Sequence, residues 1–282
     1  MATRSIRHPG PVAPEREKVA AGRAAQLVLR LRAGQSVNAA VTGALAEAGY
    51  ASGYVDLDGL AISPMHYVIP AAAPDASHAA WYSGTHSPAG VVTVERAGVI
   101  AGIRDGEPFI HCHGIWRGSD GARRAGHLLP HEAIVARDAE VRGWGLQGAA
   151  FVARDDAETN FKLFAAEAAD GTGVSPSATR ALACTMRPNG DISAAIERVC
   201  QSHDFPNASV LGVGSLVGVN FADGAHVASY ATEVMVRRGT VADGRCEVDV
   251  ALVDMDGEIH EGLLARGSNP VCVTFELVIV EE

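Results

Sequence analysis

The segment Phe109-Ile110-His111-Cys112-His113-Gly114-Ile115-Trp116 holds two histidines separated by one residue. On a strand, side chains alternate between faces, so His111 and His113 project together and Cys112 projects the other way. A turn at Ser119-Asp120-Gly121 returns the chain, and the next strand carries Ala125-Gly126-His127-Leu128-Leu129. His127 then stands beside the pair, with Gly126 leaving room. Three neutral imidazoles on adjacent strands make a donor set for zinc or another borderline divalent metal. Three protein ligands leave one coordination position open to water or a ligand, as in catalytic rather than closed structural zinc. His131 lies beyond Pro130, where the strand is expected to end, and is a weaker candidate for a fourth ligand. The other seven histidines (His8, His66, His78, His86, His203, His226 and His260) form no such pattern.

Around this set, Arg123 and Arg124 fall in the expected hairpin. Arg124 is a candidate to contact an anionic ligand, although exposed loop arginines are commoner. Trp116 is a candidate to line a cavity, although an aromatic at such a position is more often core. Cys112, facing away, reads as a small apolar side chain. Gly212, Gly214 and Gly218 do not precede a phosphate-binding helix, so no nucleotide loop is read there. No general base stands out.

The elements that must position these residues occur twice. At an offset of 155, Arg32 meets Arg187, Val37 meets Ile192, Val55 meets Val210 and Gly59 meets Gly214. At 138, Glu95 meets Glu233 and Asp105-Gly106 meets Asp243-Gly244. At 136, Asp120-Gly121 meets Asp256-Gly257, Gly126 meets Gly262, Leu128 meets Leu264 and Glu140 meets Glu276. The drop in offset implies an insertion in the first copy, within residues 69–90. Residues 26–32 alternate like a half-buried strand. Val37, Ala40, Val41, Ala44, Leu45 and Ala48 have helical spacing, with Ser36 as N-cap and Gly49 as stop. The matching helix carries Ile192, Ala195, Ile196 and Val199 and starts at Asp191 or Ser193. Strands are expected over 208–219, 245–254, 259–265 and 271–280, with Asp256-Gly257 as a hairpin turn. A short helix is expected over 160–169.

Each copy is thus strand, helix and several mostly antiparallel strands, an α+β unit. The expected organisation is an N-terminal arm (1–24), a domain with the three-histidine site (25–165), a linker (166–182) and a second domain (183–282). At offset 136, His111 becomes Glu247, His113 becomes Asp249 and His127 becomes Leu263. The second copy therefore reads as degenerate, with a solvated acidic face and a role in packing or assembly. The Glu140–Glu276 match favours a structural role for Glu140.

The 282 residues are 48% hydrophobic, enough for a sizeable core. A net charge of −10, with only Lys18 and Lys162 beside the arginines, works against non-specific nucleic-acid binding. Five scattered cysteines without a C-x-x-C pair fit a reducing cytoplasm rather than a disulfide framework. Residues 1–23 contain no secretory h-region, and no apolar run approaches membrane length.

Pro108-Phe109-Ile110-His111-Cys112-His113, Ser119-Asp120-Gly121, Ala125-Gly126-His127-Leu128-Leu129 and Asp138-Ala139-Glu140-Val141 together resemble the "plants and prokaryotes conserved" (PPC) domain. Ala125 stands where that family has glycine. The resemblance covers residues 25–165 well and 183–282 more loosely. It implies an α+β sheet domain that assembles as a trimer in single-domain members, and metal ligands at His111, His113 and His127. Plant members accompany AT-hooks in DNA-associated proteins, but this chain has no Arg-Gly-Arg-Pro hook. The expectation is a cytoplasmic, homo-oligomeric metal protein, zinc first. It would bind a small ligand or support metal-assisted hydrolysis. The alternatives are a DNA-associated regulator and a structural assembly module.

Overall fold

The computed structural model describes residues 4–170 and 177–282. The first part of the chain runs β1 (Glu17–Leu31), α1 (Val37–Glu47), β2 (Gly53–Asp56), β3 (Ala61–Ile62), β4 (Tyr67–Val68), β5 (Pro70–Ala71) and β6 (Trp81–Tyr82). It continues through β7 (Val92–Arg104), β8 (Glu107–Arg117), β9 (Arg123–Leu128), β10 (Ala139–Gln147), β11 (Ala149–Asp155) and β12 (Lys162–Ala168). The second part runs β13 (Thr179–Met186), α2 (Ile192–Ser202), β14 (Ala208–Leu216), β15 (Val219–Asn220) and β16 (His226–Val227). It ends with β17 (Glu233–Ala242), β18 (Arg245–Val253), β19 (Ile259–Leu263) and β20 (Val271–Glu281).

Local chemistry sets the helix starts and the turns. Ser36 accepts from the Ala39 amide (3.2 Å) and Asp191 from the Ala194 amide (2.9 Å), so both helices begin on side-chain caps. Asp191, rather than Ser193, is the N-cap of α2. The β7–β8 hairpin turns through Asp105 and Gly106 at φ 54° and 85°. Positive φ at both central residues is what a two-residue hairpin of right-twisted strands requires.

One mostly antiparallel 16-stranded sheet has the main order β19-β18-β17-β14-β20-β13-β1-β10-β2-β7-β8-β9-β4, with β3, β11 and β12 joined off this path and β5–β6 and β15–β16 as separate pairs. Read outward from the central β13–β1 pair, each side presents its first strand, then the strand that follows the β8–β9 or β18–β19 hairpin (β10 or β20), then the strand after the helix (β2 or β14), then β7–β8 or β17–β18. Helix α1 covers one outer face, with Val37, Val41 and Leu45 against Val99, Cys112 and Trp116. Helix α2 covers the other, with Ile192 and Ile196 against Cys184, Val210 and Phe275. Between the two inner faces, Tyr54, Ile100, Ile115, Phe151 and Phe164 meet Val213, Met235, Val253 and Val278. The one sheet thus folds over on itself, and the layers are helix, half-sheet, half-sheet, helix.

Two expectations are corrected. Residues 17–24, expected in the N-terminal arm, belong to β1 and pair with β13 (Lys18 with Thr185, Ala24 with Thr179). Alternation there is muted because small residues, Ala20 and Ala24, face the opposing sheet. The rest of the arm is anchored as well: His8 is 6% exposed and bonds the Cys272 carbonyl, and Arg16 pairs with Glu158 at 2.7 Å. Residues 162–168 form β12, not a helix. The hairpin with β11 buries Phe164 beside Phe151 between the sheets, and that burial overrides the helical propensity of Lys, Leu, Ala and Glu. The expected linker at 166–182 is trimmed by β12 and β13, and residues 171–176 of it lie outside the described residues.

Candidate metal centre

Strand β8 presents His111 and His113 on its inner face and Cys112 and Trp116 on the outer, helix-covered face. In β9, His127 lies directly opposite His113 in the ladder. The three imidazoles each offer a nitrogen within 4.8 Å of the others. Among the described residues this is the one such group of metal-donor side chains. A Cβ at Gly126 would meet the Val68 carbonyl at 2.4 Å, so its small size makes room for β4 beside β9.

The hydrogen bonds fix the tautomers. His113 Nδ1 lies 3.0 Å from the Val234 carbonyl, which only accepts, so Nδ1 carries the proton. His111 Nδ1 lies 3.0 Å from Glu276 Oε2 and likewise donates. Both Nε2 atoms then turn lone pairs toward each other at 2.9 Å, and His127 Nδ1 stands 3.2 Å from His113 Nε2. Lone pairs this close repel unless a proton or a metal ion lies among them. Imidazoles whose far nitrogens donate to a carboxylate or a carbonyl are the arrangement of metal-ligating histidine. The donor set therefore fits a divalent cation.

Burial lowers the pKa of His113, but Glu233, with Oε2 2.9 Å from His113 Nε2, outweighs it and leaves the net shift upward. Burial, reinforced by His111 and His113, holds His127 well below the usual imidazole value. Metal and proton thus compete for the same lone pairs.

Beside the imidazoles opens a cavity of about 340 Å³, lined by Trp81, Tyr82, Phe161, Thr274, Glu233 and Glu276 among others. The segment between β4 and β7 supplies Trp81 and Tyr82, and the Tyr82 ring stands edge-on to His127 at 5.1 Å. Burial, with Glu233 and Glu276 nearby, pushes the Tyr82 hydroxyl well above the usual phenol range, so it stays a donor.

Other candidates lie elsewhere. Trp116 is fully buried on the outer face, edge-on to Tyr67 at 4.8 Å, and does not line the cavity. Arg124 also falls outside the lining and pairs with Asp120 at 2.6 Å. Arg123 pairs with Glu95 and Glu261. His131 packs against Phe109 at 5.7 Å, away from the three-histidine group. Cys112 is buried, which pushes its thiol up to about 12.

Sequence reasoning missed Glu233, Glu276, Tyr82 and Phe161. The second part of the chain supplies both carboxylates and the Val234 carbonyl, a direct share in the site rather than packing alone. Glu140, the match of Glu276, is exposed and pairs with Arg30 at 3.0 Å. Asp249 faces Leu263 across the β18–β19 ladder, as His113 faces His127, and pairs with Arg237 at 2.9 Å, while Glu247 is exposed. The expected insertion within residues 69–90 was the one available signal for Tyr82.

Residues 173–282 match the family model of the Plants and Prokaryotes Conserved (PCC) domain, the PPC family under another abbreviation. The match falls on the part of the chain that lacks the three histidines, the reverse of the closeness expected from the motifs. No curated protein matches the chain. Among solved structures, a PPC protein of Pyrococcus horikoshii is similar at 15% identity and TM-score 0.39, over 55% of this chain and 96% of its own. A metal-containing protein of Archaeoglobus fulgidus is similar at 22% identity and TM-score 0.38, over 50% and 92%. A Bacteroides thetaiotaomicron protein proposed to bind DNA is similar at 14% identity and TM-score 0.38, over 49% and 90%. The family match thus rests on residues 173–282.

Proposed function

We propose that this chain is a divalent-metal protein whose three-imidazole centre faces a cavity for a small organic ligand. The observation that carries the reading is the convergence of His111, His113 and His127, with Nδ1 protons of the first two directed away to Glu276 and Val234. When bound, zinc or a similar ion supplies Lewis acidity there. The chain's own residues orient the imidazoles, exclude bulk water and present the Tyr82 hydroxyl to the cavity. Hydrolysis of a small ester or amide is the reaction to screen first.

We read the chain as two copies of the PCC fold, the first carrying the histidines and the second the supporting carboxylates. The mirrored strand order and the 155-residue spacing of α1 and α2 support this. Every side chain of the centre comes from one chain, so the site needs no second copy. Calorimetric titration with Zn²⁺ tests the function. The expected result is saturable uptake by the wild type and at least tenfold weaker uptake by His127→Ala. Equal isotherms would overturn it.

A further inference from the structure

Glu233 opens β17, on the far side of the inter-sheet layer from the histidines. Its Oε2 lies 2.9 Å from His113 Nε2, and its side chain is only 10% exposed. With His113 Nδ1 donating to Val234, the neutral ring leaves Nε2 a bare lone pair, so the contact joins two acceptors unless a proton or a metal ion lies between them. Among the described residues, no Lys or Arg pairs with Glu233. A largely buried carboxylate is costly unless a positive charge lies beside it. The same His113 Nε2 is also where the contacts to His111 and His127 converge, at 2.9 and 3.2 Å. A cation held by the three imidazoles would lie beside the Glu233 carboxylate, which stands just outside the group of donors within 4.8 Å of one another.

We infer that Glu233 is a fourth metal ligand, making the centre a three-histidine, one-carboxylate site assembled across both parts of the chain. This rests on the metal reading above and extends it to the donor set. Three imidazoles and a carboxylate suit borderline first-row cations such as Zn²⁺, Co²⁺, Fe²⁺ or Mn²⁺, rather than a soft Cu(I). Glu276 plays a different part: it holds His111 through Nδ1 and is itself held by Thr274 Oγ1 at 3.2 Å. It is a positioning residue behind the ligand.

Cobalt separates the two roles, because its visible bands respond to the ligand set. The full chain is loaded with Co²⁺ alone as wild type, Glu233→Gln and Glu276→Gln, with folding checked by circular dichroism. The expected result is an altered band shape and at least tenfold weaker Co²⁺ binding in Glu233→Gln. Glu276→Gln should bind about 10–100-fold more weakly with the wild-type band shape, as for an outer-shell partner. Superimposable spectra and affinities within twofold for wild type and Glu233→Gln would overturn the assignment. A crystal structure of the Co²⁺-loaded wild type decides the matter even where the variant does not fold. A Glu233 Oε–metal distance of about 2.0–2.2 Å supports the assignment, and one beyond about 3 Å rejects it. A folded wild type that takes up no Co²⁺ rejects the metal reading itself.

Discussion

Replacing Glu276 by Gln removes one charge and little else. The carboxylate is 1% exposed and accepts from His111 Nδ1 at 3.0 Å and Thr274 Oγ1 at 3.2 Å. Gln can still accept from the imidazole, so the ring orientation survives while a charge-assisted bond becomes neutral. Charge-assisted bonds are worth about 1.5–3 kcal/mol and neutral ones about 0.5–1.5, a loss of about 1–1.5 kcal/mol. At about 1.4 kcal/mol per tenfold, that alone weakens metal binding by about tenfold. Outer-shell carboxylates behind metal-bound histidines typically contribute about 10–100-fold, so the working figure is the lower part of that range. Competition with a calibrated zinc chelator at pH 7.5 measures it, with thermal unfolding of the metal-free protein as the control for fold. An affinity within twofold of wild type in a folded variant would refute the role given to Glu276.

Saturating metal at about 100 times its Kd adds about 2.7 kcal/mol to the folded state. With an unfolding entropy of about 0.6 kcal/mol/K for a chain this long, that raises Tm by about 4–5 °C, and a chelator should reverse it. The shift should grow from pH 6 to pH 8. The raised pKa of His113 stabilises the metal-free fold below about pH 6.5, and this contribution is lost as pH rises through the folded value, while metal uptake needs the deprotonated ring. A pH-independent shift, read by differential scanning fluorimetry, would contradict the shared lone pair. Ser52 Oγ donates to the Ala101 carbonyl at 2.7 Å and accepts from the Phe151 amide at 3.0 Å, both buried. Ser52→Ala should cost about 1–3 kcal/mol, seen as a Tm lower by about 2–5 °C, with metal stoichiometry unchanged. All five cysteines are buried, and burial pushes the thiols of Cys112 and Cys272 up to about 12 and of Cys200 up to about 11. A disulfide reagent at pH 8 should titrate none quickly in the native protein and all five after unfolding.

What could be read beforehand was local. His111, His113 and His127 meet because strand alternation and one hairpin bring them together within 17 residues of chain. Ser36 and Asp191 cap their helices with amides three residues away. What escaped depends on distant partners. Glu276 reaches His111 across 165 residues, and nothing near either residue signals the contact. The strand at 162–168 has helix-forming composition and is extended only because β11 and the inter-sheet core claim it. The start of β1 lacks apolar contrast because its inner face is built of alanines packed against the other sheet.

The measurement that bears most directly on the central claim is elemental analysis of the chain purified without a histidine tag, beside the His111→Ala/His113→Ala double variant. About one divalent metal per chain in the wild type, lost in the folded double variant, is the predicted result. A wild type without metal after Zn²⁺ is offered, or a double variant that keeps its full complement, would contradict the account.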